Sequence, residues 1–343
     1  MQLAVLALAL GLPAAQAQEN QAIKVTPVVT NLYNPCGIAI QPETGDIYIA
    51  DSGALRILRY SPKERVVEES IIGSPKDVYG KGPMYDIGPL GLLFLDKTTL
   101  VVGDGGLPDG QELVRFFEVP KPGEHITFDK MKHQLGPIEA SEQTVKGEGN
   151  FYGLARIGNS IFITTNGDDT KGWVARATLK DGVPEKLELA IATKEKTDVN
   201  APVAATVTPD GTKLVIGQMG VVNVPGDSLL TMYDPSSGEL VFNAQPEPAL
   251  SDITALAYSP KSGKLYALDF AWAEPENGGL FRLDIETKEG EAPKVTAVKL
   301  HSLDKPTAMA FDADGTLYVL EFGTEKEGDT KKPGRLLKIT GDL

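Results

Sequence analysis

The chain has 343 residues and a formal charge of −14 at neutral pH, which argues against nucleic acid or an anionic membrane surface as a partner. The same acidity also serves simply to keep an exported protein in solution. Its single cysteine, Cys36, excludes an internal disulfide, so stability must come from the apolar core.

Taken in order, the chain opens with an apolar run from Leu3 to Leu12, then Pro13 and the triplet Ala15-Gln16-Ala17. This pattern predicts a signal peptide cleaved after Ala17, although no Lys or Arg precedes the apolar run, and hence a secreted or periplasmic protein. The run is too short to span a bilayer, so no membrane span is expected after cleavage. Residues 18–343 are expected to form a single domain and a monomer. The segment Ile23–Thr30 (IKVTPVVT) has the character of a strand but stands ahead of everything that follows.

The stretch from Asn34 to Pro62 holds three short β-rich runs separated by turn residues, which predicts an antiparallel meander. It recurs five more times. The small residue of its first run is Gly37, then Gly91, Gly153, Ala204, Ala255 and Ala308. Second runs follow as DIYIADSG, TLVVGDGG, SIFITTNG, KLVIGQMG, KLYALDFA and TLYVLEFG, and third runs carry Arg59, Arg115, Arg176, Thr231, Arg282 and Lys338 at matching places. Six units of this size, each with room for four strands, predict an all-β chain folded as a six-bladed β-propeller. The sixth copy ends too soon for an outermost strand, so Ile23–Val29 is expected to supply it and close the ring. Pro27 is tolerable on such an outer strand.

Insertions stand out against this regular frame. They are Pro75–Gly88 with Tyr79, Met84 and Tyr85, Pro120–Asn150 with His125 and His133, and longer second-to-third-strand loops at 105–110, 167–172, 220–227, 271–278 and 324–334. In a four-strand meander those loops share a face with the blade-to-blade connections, so one end of the ring is elaborated and is the expected functional end.

Each second strand ends on an oxygen-bearing side chain: Asp51, Asp104, Thr165, Gln218, Asp269 and Glu321. Pointing at the channel mouth, these six would form a ligand-binding ring. The four carboxylates Asp51, Asp104, Asp269 and Glu321 would suit a hard cation such as Ca2+, or the ring would orient a polyol by hydrogen bonds. The competing reading is that each caps the turn that follows it. Trp173 and Trp272 are stacking platforms for a sugar or wedges of core, and Trp173, which begins a strand, fits the core. Cys36 fits a buried, inert thiol. The third-strand basic residues predict one ion pair per blade. Three scattered histidines, no G-x-S-x-G and no phosphate-binding loop leave zinc, serine-hydrolase and nucleotide chemistry without support.

PCGIAIQPETGDIYIADSGALRILRYSP resembles an NHL-type repeat, and PTAMAFDADGTLYVLEFG is similar to it in a divergent form. The resemblance extends to propellers of the gluconolactonase and paraoxonase type, which hydrolyse lactones with a calcium ion at the channel mouth. In the gluconolactonase type, ligands include Asn or Asp just before the small residue of the inner strand. Here Cys36, Leu90, Tyr152, Val203, Thr254 and Thr307 fill that place, while Asn34, Asn150 and Asp252 lie a little upstream. Propeller sugar dehydrogenases that use a quinone need a catalytic histidine, for which His301 is the candidate. Two functions follow as expectations. One is a binding module for a small polar molecule or a protein or glycan partner on the loop-rich face. The other is a calcium-dependent lactonase-like or esterase-like hydrolase.

Overall fold

A computed structural model describes residues 23–343, and the expected signal peptide lies outside the described residues. Six sheets stand in a ring. Each is an antiparallel meander whose first strand is innermost: Pro35–Ile40, Pro89–Phe94, Leu154–Ile157, Pro202–Val207, Ile253–Tyr258 and Pro306–Phe311 in blades one to six. The second strands are Ile47–Asp51, Thr99–Asp104, Ser160–Thr164, Leu214–Gln218, Leu265–Asp269 and Leu317–Glu321. Both series fall on the repeats, because alternating β-branched and aromatic side chains suit strands packed on both faces.

The last blade contains Lys24–Leu32 as its outer strand, paired antiparallel with Gly334–Thr340 from Lys24↔Thr340 to Leu32↔Gly334. The closing strand is therefore the expected one, three residues longer at its end. A register shift falls between Pro27 and Val29, where proline offers no N–H to the ladder.

Six apolar layers fill the seams between neighbouring blades. In the seam between blades six and one, Leu32, Leu320 and Leu336 meet Ile47 and Ile49. In that between blades four and five, Val215 and Leu230 meet Ile253 and Leu265. Each fully buried aliphatic side chain contributes about 1.5–3 kcal/mol. Near the axis the inner strands of the first three blades come closest. A Cβ on Gly37 would fall 1.8 Å from the Leu90 carbonyl oxygen, and one on Gly91 or Gly153 would also collide with the next blade. Hydroxyls lace neighbouring blades there: Thr254 Oγ1 donates to the Pro306 carbonyl (2.9 Å) and Thr307 Oγ1 to that of Pro35 (2.6 Å).

The insertions take definite places. From Pro120–Asn150, His133–Leu135 becomes the outer strand of blade two, and Ile126–Thr127 adds a parallel strand to blade one. Pro75–Gly88 forms a hairpin of its own, Asp77–Tyr79 paired with Tyr85–Ile87. No helix among the described residues is long and apolar enough to cross a membrane.

Candidate functional site: an aromatic axial cavity under an acidic vestibule

The six residues that end the second strands are all buried, and none lines the axial cavity. They do not converge on the axis as expected: five of the six turn sideways and tie down the segment that enters their own blade. Asp51 accepts from Tyr33 N (2.6 Å) and from Arg56 Nε (2.9 Å). Asp269 accepts from the backbone N–H of Ser251, Asp252 and Ala271 at 2.8–3.1 Å, and Glu321 accepts from Asp304 N (3.2 Å) and from Arg335. Gln218 Nε2 donates to the Val199 carbonyl (2.5 Å), and Thr165 Oγ1 donates to Glu148 Oε2 (2.5 Å). Asp104 instead holds Arg115 (3.1 Å). The segment before an inner strand leaves its backbone donors unpaired, and a strand-end oxygen satisfies them. Burial raises the carboxyls of Asp51, Asp104 and Asp269 above the usual range, against the hydrogen bonds that lower them.

The axis is lined by the position that sequence comparison singles out for a different reason. Cys36, Leu90, Tyr152, Val203, Thr254 and Thr307, one from each blade, surround a cavity of about 80 Å³. Inward alternation of the inner strand puts this residue on the axis, while its small neighbour faces the adjacent blade. Tyr152 spans the axis from blade three, and its hydroxyl donates to the Thr307 carbonyl of blade six (3.0 Å). Burial pushes the Cys36 thiol up to about 12, so it is the inert thiol expected.

The roof is the hairpin from Pro75–Gly88. Tyr79 and Tyr85 reach over the cavity to Phe270 and Trp272 of blade five and Phe322 of blade six. Tyr85 meets Trp272 and Phe322 edge-on at 5.2 and 5.1 Å, and Phe270 stacks on Trp272 at 5.3 Å, arrangements that aromatic quadrupoles favour. Trp272 is thus both core and cavity wall, whereas Trp173 is buried where its strand begins. Gly80 is required: its φ is +142°, and a Cβ would lie 2.3 Å from the Pro83 carbonyl oxygen and 3.0 Å from the Trp272 ring. The hairpin is anchored by Asp86, which accepts from the Tyr33 hydroxyl (2.9 Å) and pairs with Lys76 (2.9 Å). Asn34 donates to the Asp86 carbonyl (3.0 Å).

Beside the roof a vestibule of about 790 Å³ opens on the loop-rich face, and it shares Tyr79, Asn150 and Asn166 with the axial cavity. Asn166 Nδ2 donates to the Tyr79 hydroxyl (2.8 Å). The vestibule walls come from the lengthened loops and the blade-to-blade connections, as the meander topology requires. Asp77, Asp109, Asp169, Asp198 and Asp227 line it, with Lys81, Lys146 and Lys194.

Two further carboxyls stand behind these walls, Glu112 and the Asp252 noted upstream of the small residue of blade five. Glu112 has no solvent exposure. One oxygen accepts from Asn150 N (2.5 Å) and the other has no partner. Burial, and then the charges of Asp104, Asp109 and Asp77, push it up to about 9. Asp252 is likewise buried, with one oxygen on Trp272 N (2.5 Å) and one unpartnered. Burial and then Asp269 and Asp227 push it up to about 7. A buried carboxyl with a raised pKa and an unpartnered oxygen is a candidate functional group. Glu112 lies in an irregular loop, where no strand period betrays its burial.

Metal and quinone chemistry can be tested on the donor set. Among the described residues no three His, Cys, Asp or Glu side chains gather closely enough to share a metal ion, and Asp51, Asp104, Asp269 and Glu321 bond within their own blades. His125, His133 and His301 are all exposed, and His301 stands on the outer strand of blade five. The vestibule lining has neither Arg nor His, so the residues there do not fit a polyanionic quinone. The third-strand basic residues form the expected ion pairs in four blades, Arg59 with Asp46 and Glu68, Arg115 with Asp104, Arg176 with Glu188 and Arg282 with Asp284. In the last blade Arg335 makes the pair in place of Lys338.

No protein-family model matches the chain, and no curated protein matches it significantly in sequence. Solved structures do match in shape. The PQQ-bound aldose sugar dehydrogenase of Streptomyces coelicolor aligns with a TM-score of 0.60 at 15% identity, over 94% of this chain and 98% of that one. The soluble aldose sugar dehydrogenase of Escherichia coli, in its apo-form, gives 0.60 at 14%, over 94% and 100%. A candidate gluconolactonase gives 0.57 at 14%, over 93% and 92%. At these identities the likeness is one of architecture: the chain is a six-bladed β-propeller of the shape that sugar dehydrogenases and gluconolactonase-like proteins share.

Proposed function

We propose that this propeller is a receptor for a small amphipathic molecule, which enters through the vestibule and lays its apolar part against the aromatic wall of the axial cavity. The observation that carries this reading is the junction at Tyr79, Asn150 and Asn166, where hydrogen-bonding amides meet a ring of aromatic faces. A concave site with an apolar floor and a few convergent polar groups is the usual form of a small-molecule pocket. The polar ligand expected from sequence thereby acquires an apolar end. The test is a titration of tryptophan fluorescence in Trp173→Phe, which leaves Trp272 as reporter, against aldoses, sugar lactones, aromatic esters and aromatic amines. Saturable change that disappears in Asn166→Ala supports the receptor. No change across the whole panel would sink it.

A second reading, hydrolysis of an ester or lactone, is favoured by Asp252. It is a buried carboxyl, pushed up to about 7, that accepts from the backbone N–H of cavity-lining Trp272 but lines neither cavity itself, so it acts as a general base only where the segment bearing Trp272 moves to admit substrate. Turnover of phenyl acetate or a sugar lactone, lost in Asp252→Asn but not in Asp314→Asn, would establish it. Absence of turnover with and without added calcium would leave the receptor alone.

A further inference from the structure

We infer that the vestibule selects ligands that carry an ammonium group on an apolar body; this rests on the receptor reading above and names its ligand class. The first observation is the charge of the wall. Five aspartates line it against three lysines, and among the described residues none of the five lies within ion-pairing distance of a basic side chain, although carboxylates elsewhere on the blades are commonly paired. Lys194 Nζ donates to the Asp169 carbonyl (2.9 Å).

The second observation is independent of net charge. Two unpartnered acceptor atoms, Asn200 Oδ1 and Asp227 Oδ1, belong to residues that line the vestibule. An orphaned acceptor calls for a donor. An ammonium brings three donors and no acceptor, whereas each hydroxyl of a polyol brings two lone pairs with its one proton. The third observation is the floor. Tyr79, shared by the vestibule and the axial cavity, packs edge-to-face with Trp272 of the cavity wall at 6.2 Å, and aromatic rings attract a cation while accommodating the apolar body behind it. A carboxylate-bearing ligand meets repulsion from the wall and no arginine to hold it.

The experiment uses three probes with one body, 2-phenylethylamine, 2-phenylethanol and 3-phenylpropanoate, titrated by calorimetry and by Trp272 fluorescence. The amine is expected to bind about tenfold or more tighter than the alcohol, a difference of about 1.4 kcal/mol, and the carboxylate weakest of the three. Salt should weaken the amine and leave the alcohol unchanged. Asp109→Asn with Asp169→Asn should shrink the amine's advantage over the alcohol to about threefold. Should that pair fail to fold, Asp198→Asn, on the exposed rim where asparagine tolerates the positive φ of 63°, should shrink it in the same direction. Equal binding of amine and alcohol, or tighter binding of the carboxylate, overturns the inference. If all three fail while a sugar or lactone perturbs Trp272, the ammonium inference falls and the receptor stands. If nothing perturbs Trp272, both fall.

Discussion

Glu112 shows how a single side chain can set the response of the fold to pH. Its carboxyl rises from an ordinary 4.5 to about 9 because burial strips it of water and Asp104, Asp109 and Asp77 lie near. Across that window the folded chain keeps a proton that the unfolded chain has released, so stability falls as pH rises from 4.5 towards 9. One such proton contributes a slope of up to about 1.4 kcal/mol per unit. Glu112→Gln is neutral in both states and is expected to flatten the slope in urea melts taken from pH 5 to 9, with the variant the more stable at the alkaline end. An unchanged slope would mean that Glu112 is ionised in the fold. Gly37 makes the opposite kind of demand, one of space. A methyl there meets the backbone of the next blade at 1.8 Å, so Gly37→Ala is expected to cost about 3 kcal/mol. Gly45→Ala, at a φ of +75° with open space around it, should cost only about 1 kcal/mol. At this scale the sequence was legible in part. The alignment located every strand-end oxygen, but a residue type cannot say whether its side chain turns to the axis or back to its own backbone. Asp104 and Asp269 cap the turn that follows, at Gly106 and Ala271, while the others bond the segment that enters the blade, a third destination that a strand-end position does not reveal.

Among elements, the hairpin from Pro75–Gly88 decides whether the axis is open. Its strands pair only with each other, and its tyrosines are what hold it over Trp272 and Phe322. Replacing residues 76–87 with a short glycine-serine linker should therefore leave the ring folded while exposing Trp272. In the Trp173→Phe background, acrylamide quenching should rise severalfold with the circular dichroism spectrum retained. Unchanged quenching would show that the roof is not the hairpin. The aromatic cluster of this insertion is visible in the sequence as an anomaly. Its destination is not, because nothing local to residues 75–88 encodes contacts with residues 270, 272 and 322. The closing strand is different. The chain runs out three strands into its sixth repeat, and that shortage alone points to Ile23–Val29.

For the whole molecule, stability is distributed over six similar seams, and the ring has strength only when all are closed. Removing residues 24–32 uncovers Leu336 and Leu337 and leaves the last blade one strand short. The expected result is loss of a cooperative thermal transition, restored by a synthetic peptide of residues 23–33 added in trans. A truncated chain that melts at the original temperature would remove ring closure from the account. Repeats are the most legible feature of any sequence, since six imperfect copies outvote each other's errors. That is why the architecture could be read where the chemistry could not.

Closure by the first strand also fixes an order of events. Of the strands of the ring, Lys24–Leu32 is made first and its partner Gly334–Thr340 last, so it must wait unpaired while the other five blades are made. During that time it is an edge that any other chain could extend. Exposed Lys24 and Pro27 are the residues that discourage such pairing, one by charge and one by its missing N–H. A variant with threonine at both positions would reach the same native ring, but more of its newly made chains would be lost to aggregation along the way.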